Sequence, residues 1–333
     1  MRLSMRWANV FTSAATTVAC MGLLATAFVA SAADYPTKPV KVVVSYPAGG
    51  ITDIYARKFA EKLQDRLKQP FLIENKPGAG GMIGSEQVAK SAPDGYTLTY
   101  VGTATLLPVI LRQSVKDPTV DLLRDFDPIA LMNLGSFGLI VNSAIPVKNL
   151  REFIDYNKAN PGKLFYGTSS GSGKMVMEVF KKAAGIDIQH VPYKGTAPLT
   201  TALVAGEVTA VLEPTATYKS FIENGKLHAI ATTGEKRLST LPEIPTLVES
   251  GYPSIKGVYS GGFWGPKGLP PAVVATLSKP LMEFARMQDI IDLLKSSGVD
   301  AIGSTPEGLR QQALTENEFW TRAAQIANIP NAQ

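Results

Sequence analysis

The sequence predicts an α/β protein of two Rossmann-like lobes with a cleft between them, and three observations carry that expectation. Short β-rich runs alternate with amphipathic helical runs along most of the 333 residues, the pattern of βαβ units and a mainly parallel sheet. The alternation occurs in two sets, the second starting near Leu139. A stretch punctuated by Leu241-Pro242, Ile244-Pro245 and Tyr252-Pro253 then leads back to a helical tail. Two chain crossings, near Ser136–Leu139 and Val258–Gly262, would therefore act as a hinge.

The first 32 residues read as a signal peptide. Arg2 and Arg6 precede an uncharged apolar run from Val10 to Ala30 that ends in Ala30-Ser31-Ala32, which is the basic, apolar and small-residue order that export machinery recognises. A membrane anchor fits less well, because no basic stop-transfer cluster follows Ala32 and the chain turns at once to Asp34-Tyr35-Pro36. A lipoprotein reading of Thr17-Val18-Ala19-Cys20 competes with cleavage after Ala32, although the apolar stretch continues well past Cys20.

The elements follow in order. Val40–Ser45 reads as the first strand, and Asp53–Leu67 places Ala56, Phe59, Ala60, Leu63 and Leu67 on one helical face. Phe71–Glu74 is a strand, Met82–Lys90 a helix, Pro93-Asp94-Gly95 a turn and Thr97–Val101 a strand. The second set runs through Leu139–Asn142, strand Leu164–Tyr166, helix Lys174–Ala184, strand Gln189–Val191, helix Leu199–Ala205 and strand Val208–Leu212. Helix Lys219–Asn224 and strand Ala229–Thr232 extend it. In the tail, Pro271–Met287 and Asp289–Ser297 are periodic, and Thr305-Pro306 supplies an N-cap and N1 proline for a final helix to about Ala327. With the C-terminal helices packed on the first lobe, the domains are residues 33–137 plus 259–333, and 138–258.

Composition narrows the function classes. Cys20 is the only cysteine, so the chain after Ala32 has no thiol for disulfides, metal binding or nucleophilic catalysis. The formal charge of +5 falls to +3 without Arg2 and Arg6, and the remaining Lys and Arg are scattered. Nucleic acid is thus a poor partner, whereas small anions suit a mildly positive surface. His190 and His228 stand in no metal-ligand spacing, and no Gly-x-Ser-x-Gly element has a partner base, so neither metal nor catalytic residues are expected.

Two loops carry the binding expectation. Tyr46-Pro47-Ala48-Gly49-Gly50-Ile51-Thr52-Asp53 joins the first strand to the first helix, where backbone amides and the helix dipole favour anions. Gly49 and Gly50 allow close approach of a ligand, and Thr52 adds a hydroxyl; Thr52 or Asp53 merely capping a tight turn is the competing reading. Gly167-Thr168-Ser169-Ser170-Gly171-Ser172-Gly173-Lys174 occupies the equivalent place in the second lobe and is rich in donors. It is not a P-loop, because Thr168 stands where the first glycine belongs and Met175 where the Mg-binding hydroxyl belongs. Gly78-Ala79-Gly80-Gly81-Met82-Ile83-Gly84 looks like a dinucleotide fingerprint, but Ile83 fills the third glycine's place, and no cofactor is expected. Thr103, after the third strand, joins the candidate ligand residues. Tyr193 either covers a ligand or supports a helix, and Glu213 either accepts a ligand hydrogen bond or fixes a loop.

Seven segments together resemble the substrate-binding proteins of tripartite tricarboxylate transporters, also called the Bug family. They are Tyr35-Pro36 with Lys38-Pro39, Gly49-Gly50-Ile51-Thr52-Asp53, Glu74-Asn75-Lys76-Pro77-Gly78-Ala79-Gly80-Gly81, Pro93-Asp94-Gly95-Tyr96-Thr97-Leu98, Asn160-Pro161-Gly162-Lys163-Leu164, Val191-Pro192-Tyr193-Lys194-Gly195 and Leu241-Pro242-Glu243-Ile244-Pro245-Thr246. The resemblance implies a type II periplasmic binding fold whose lobes close on a small organic carboxylate. It makes Tyr46 through Thr52 and Thr168 through Ser172 the carboxylate loops. It also implies, as partners, the large and small membrane subunits of a transporter driven by an ion gradient. A periplasmic monomer is expected, with a ligand sensor for a histidine kinase as the alternative. Ala48 replaces the family's usual proline, and Lys174 stands roughly where a histidine is common. Lys174 would then either favour a second negative group on the ligand or be a solvated lysine at a helix start.

Overall fold

The computed structural model describes residues 35–102 and 120–327. The signal-peptide reading of residues 1–32, Cys20 and Thr103 lie outside the described residues.

The first sheet begins with β1 (Val40–Val44), flanked in parallel by β2 (Phe71–Asn75) and β3 (Thr97–Gly102). Helix α1 (Ile51–Leu67) crosses between β1 and β2, and α2 (Met82–Ala89) between β2 and β3. Of the apolar stripe predicted for α1, Ala56, Phe59, Ala60 and Leu63 are buried and Leu67, in the last turn, is half-buried. Val42, Val43 and Val44 are fully buried, as strands covered on both faces require.

After the one-turn helix α3 (Leu122–Asp125), the 17-residue strand β4 runs from Phe126 to Asn142. Its first part pairs antiparallel with β9 (Val258–Pro266), ending at Ser136↔Val258. From Phe137↔Pro214 onward it pairs instead with β7 (Ala210–Pro214), and on its other edge with β8 (Leu227–Thr232). One strand therefore serves two sheets and changes partners between Ser136 and Phe137. Parallel strands β5 (Phe165–Thr168) and β6 (Gln189–Pro192) complete the second sheet beside β7.

The second sheet is covered by α4 (Leu150–Ala159), α5 (Gly171–Ala184), α6 (Thr196–Ala205) and the short α7 (Lys219–Glu223). Helix α4 starts at a reciprocal cap: Asn149 accepts from the Glu152 amide, and the Glu152 carboxylate accepts from the Lys148 amide. This helix and the front of β4 are additions to the elements that periodicity predicts. Register shifts between Pro128 and Ala130 and between Leu131 and Asn133 interrupt the alternation there.

The tail consists of α8 (Pro271–Phe284), α9 (Gln288–Ser296), the two-residue β10 (Asp300–Ala301), which pairs with β4, and α10 (Pro306–Ile326). Thr305 caps α10, its hydroxyl accepting from the Gly308 amide at 3.2 Å. Helix α10 does not stay with the first sheet. Its early residues Leu309 and Ala313 pack with Val43, Val101 and Trp264. Its later residues Trp320 and Ala323 belong to the core of the second sheet with Phe137, Val176 and Phe180, and the Phe137 and Trp320 rings meet edge to face at 5.6 Å. From Pro36 onward the chain forms one compact unit. Among the described residues no helix is long and apolar enough to cross a membrane.

Because Trp320 is only 2% exposed, removing its indole leaves a cavity in the second core. Trp320→Ala is expected to lower unfolding free energy by about 3–5 kcal/mol, read from guanidinium midpoints. A loss below about 1 kcal/mol would mean that α10 does not anchor the second sheet.

Candidate functional site

The loop from Tyr46 to Gly50 is held by a buried carboxylate. Asp53, 2% exposed, accepts from the Gly49 amide at 2.8 Å, from Arg57 Nε at 2.9 Å and from Asn75 Nδ2 at 2.9 Å. Asn75 also donates to the Tyr46 carbonyl at 3.1 Å, and Arg57 donates to Asn75 Oδ1 at 3.0 Å. Gly49 has φ 77°, a conformation that glycine adopts without strain. Burial alone would raise the Asp53 pKa, but hydrogen bonds from Arg57, Gly49 and Asn75 and the Arg57 charge outweigh it and hold the carboxyl below its ordinary value. All the Asp53 contacts are thus internal, and Arg57 neutralises its charge.

That arrangement leaves the start of α1 open. Gly50 is the N-cap and no side chain caps the helix, so the amides of Ile51, Thr52 and Asp53 have no intrahelical acceptor. They form a positive helix end. The glycine-rich turn at 78–81 backs this region: Ser85 donates to the Gly81 carbonyl at 2.9 Å and meets Ser45 at 3.4 Å, just before Tyr46.

Beside the loop lies a cavity of about 560 Å³. Tyr46, Ile51 and Thr52 form one side, and Pro214 at the end of β7, with Ala216 and Thr217 just after it, another. Asn133 and Tyr259–Gly261, from the paired crossing strands, also contribute to the wall. Tyr55, Tyr100, Ser297 and Val299 add to the lining. Among the described residues the lining carries no charged side chain. The Tyr100 hydroxyl is hydrogen-bonded to Asn133 Oδ1, Tyr55 is directed to Ser297 and Tyr259 to Thr215, whereas the Tyr46 hydroxyl is buried without a hydrogen bond. Burial pushes the Tyr46 pKa up to about 12.

The second loop is built differently. Its helix α5 starts at Gly171, earlier than the sequence suggests, and Ser170 caps it by accepting from the Gly173 amide at 3.2 Å. Behind the cap, Glu213 accepts from the Ser169 amide at 2.9 Å and from the Ser170 hydroxyl at 3.4 Å. Gly173 is required there, since a Cβ would collide with the Glu213 carboxylate. Burial raises the Glu213 pKa against those hydrogen bonds. Thr168 pairs with His190 Nε2 at 2.7 Å, and Ser172 with Ser170 at 3.0 Å. Burial, then the nearby Lys174 charge, lowers the His190 pKa.

Of the residues expected at the site, Tyr46 and Thr52 line the cavity. Ala48, Gly49 and Gly50 shape the turn beside it, and Asp53 braces that turn from within. Thr168, Ser169, Ser170, Gly171, Ser172 and Lys174 cluster at the start of α5, outside the cavity lining. Glu213 ties that cluster down, and Tyr193 packs its ring near Gly167, 3.3 Å from where a Cβ there would sit. Sequence reasoning missed Tyr55, Tyr100, Asn133, Tyr259 and Ser297. They come from five separate elements and turns, and only the fold gathers them.

This cavity, at the carboxyl end of β1 and against an uncapped helix, fits a receptor for small anions. Residues 55–326 match the family model of the tripartite tricarboxylate transporter family receptor. The chain belongs to this family. A Cupriavidus necator relative, the UPF0065 protein in the gbd 5' region, is 38% identical over 265 residues, covering 79% of each chain. A solved R. palustris structure with adipate is similar at 30% identity and TM-score 0.70, over 89% of this chain and 99% of that one. MatC from Rhodopseudomonas palustris with bound malate is similar at 28% identity and TM-score 0.66, over 87% and 99%. The family match runs from Tyr55 in α1 to Ile326 at the end of α10, and so takes in the second loop, while the first loop lies just before it.

The depressed Asp53 pKa makes a stability contribution that is present above the unfolded carboxyl pKa of about 3.9 and is lost as pH falls through the lower folded value. The wild type is therefore expected to be more stable than Asp53→Asn by about 1–3 kcal/mol at pH 6, with the gap closing below about pH 4. Denaturant titrations of both proteins across pH 3–7 measure it, and a gap independent of pH would contradict the brace.

Proposed function

We propose that this receptor captures a small organic carboxylate in the periplasm and delivers it to the large and small membrane subunits of a tripartite tricarboxylate-type transporter. The observation that carries the reading is the uncapped N-terminus of α1 opening onto a sizeable cavity beside Tyr46 and Thr52. Family membership and the adipate- and malate-bound relatives support it. The ligand carboxylate accepts hydrogen bonds from the amides of Ile51, Thr52 and Asp53 and from the Thr52 hydroxyl. At roughly 1.5–3 kcal/mol for each hydrogen bond to a charged group, three or four reach the roughly 8 kcal/mol of micromolar binding. No covalent step is needed, and the protein acts as a carrier.

The lobes, residues 33–137 with 259–333 and 138–258, close about the partner change between Ser136 and Phe137 and the antiparallel crossing of β9 at Val258. Closure brings the Thr168–Ser172 loop over the ligand already seated at α1, and binding selects that closed state. Glu213 keeps the loop in shape during the motion. Lys174, at the rim beside His190, adds long-range attraction for the incoming anion. Export by the N-terminal signal peptide and action as a monomer complete the reading.

A ligand that binds only the folded state must raise the unfolding midpoint. In a thermal-shift screen of mono-, di- and tricarboxylic acids, at least one acid is expected to raise the midpoint by several degrees. Thr52→Ala should weaken it by roughly five- to tenfold, the worth of about one hydrogen bond to a charged group. No shift with any acid, after removal of co-purified ligand, would count against a carboxylate receptor.

A further inference from the structure

Building on the carboxylate reading, on which it rests, we propose that Asn133 selects among acids by donating its side-chain amide to a second oxygen of the ligand, with Tyr100 as its positioning residue. Three adjacent strands build the device. Tyr100 stands on β3 and Asn133 on β4, with β9 between them and paired to both. In β9, Gly261 pairs with Gly102 on one side and with Asn133 on the other. Because Gly261 has no side chain, the Tyr100 hydroxyl reaches across β9 and donates to Asn133 Oδ1. A Cβ on Gly261 would collide with both of those oxygens. All three residues line the cavity.

The pair is held rigidly. Tyr100 is 1% exposed, and its ring packs against those of Phe59 and Phe263 with centroids 6.0 and 5.0 Å away. On the other side, the register shift of β4 between Leu131 and Asn133 is the kind of bulge that re-aims a side chain. Holding Oδ1 fixes the planar amide, and with it Nδ2 and its two N–H donors. Among the described residues, Nδ2 takes part in no hydrogen bond. Asn133 is 5% exposed, and an amide donor left unpaired at that depth is costly. A second unpaired donor, the buried Tyr46 hydroxyl, lines the same space. What these donors lack is an acceptor, and the α1 amides already engage the first carboxylate in the proposed function. The missing partner is therefore another ligand oxygen, of a carboxylate or of a hydroxyl. A site built to hydrogen-bond such a group rejects the analogue that lacks it, because the buried donor is then left unpaired.

Titration calorimetry with two shape-matched sets tests this: adipate, 6-hydroxyhexanoate and heptanoate, and terephthalate with 4-methylbenzoate. The full chain is expressed with its N-terminal segment intact, stripped of co-purified ligand by denaturation, and refolded. In the set that binds, Asn133→Leu is expected to cost the diacid at least about tenfold in affinity, 6-hydroxyhexanoate about threefold, and the methyl-ended acid less than about twofold. Tyr100→Phe, which keeps the ring packing and leaves Asn133 in place, should cost the diacid at least about threefold and the methyl-ended acid less than about twofold. A loss in Asn133→Leu that is equal for diacid and methyl-ended acid, or no loss, overturns the inference and leaves the carboxylate reading standing. So does a wild type that binds only the methyl-ended acids. Equal losses in Tyr100→Phe overturn the positioning role, since damage to the fold alone weakens all acids alike. Binding by none of the five, in protein with the circular dichroism of the folded chain, removes the carboxylate reading and the inference together.

Discussion

Strand β4 is the constraint on which the rest depends, because its 17 residues are shared between two sheets. Most of its side chains are buried, on both faces, so it cannot move relative to either core without exposing apolar surface. The change of partner between Ser136 and Phe137 is thus the place where the two sheets part, and β9 enters beside it at Val258. The space opened there is lined by Asn133 and Tyr259 from these strands. The C-terminal helix adds a second tie. With Leu309 in one core and Trp320 in the other, α10 ties the two sheets together along a different line.

The starts of helices α1 and α5 have been treated in opposite ways. Helix α5 is capped by Ser170 and backed by the Glu213 carboxylate, so an internal anion already occupies its neighbourhood. Helix α1 carries an acidic residue too, but Asp53 is turned inward and neutralised by Arg57, and the first-turn amides remain uncovered. The same chemistry, a carboxylate accepting from a glycine-rich loop, serves in both places to shape the loop. Only at α1 does it leave the helix end available, which explains how a cavity without a lining cation among the described residues can still attract an anion.

Much of the α/β alternation was legible in the sequence, since strand and helix periodicities are local properties. The apolar face of α1, the cap at Thr305 and the strands flanking β1 all follow from neighbouring residues. The front of β4 was not legible, because it is apolar on both faces and its bulges disrupt alternation. Helix α4 carried a readable cap in Asn149 and Glu152 that went unused. Periodicity shows that α10 has an apolar face, yet it does not tell which core that face meets. The resemblance drew attention to both loops, but the tyrosines of the cavity are scattered from Tyr46 to Tyr259, and nothing in their spacing links them. Glu213 is a clearer case still: its role follows from burial and from two amino acids more than forty positions away.

The central claim is that a ligand carboxylate is seated on the open end of α1, with the second loop arriving only as a cover. A crystal structure of the protein with a bound acid, from the thermal-shift screen, tests it most directly. The account predicts the carboxylate oxygens within about 3 Å of the amides of Ile51, Thr52 or Asp53, and the body of the ligand among the tyrosines. A carboxylate held instead by the Ser169–Ser172 amides, with the cavity beside Tyr46 filled only by water, would contradict it.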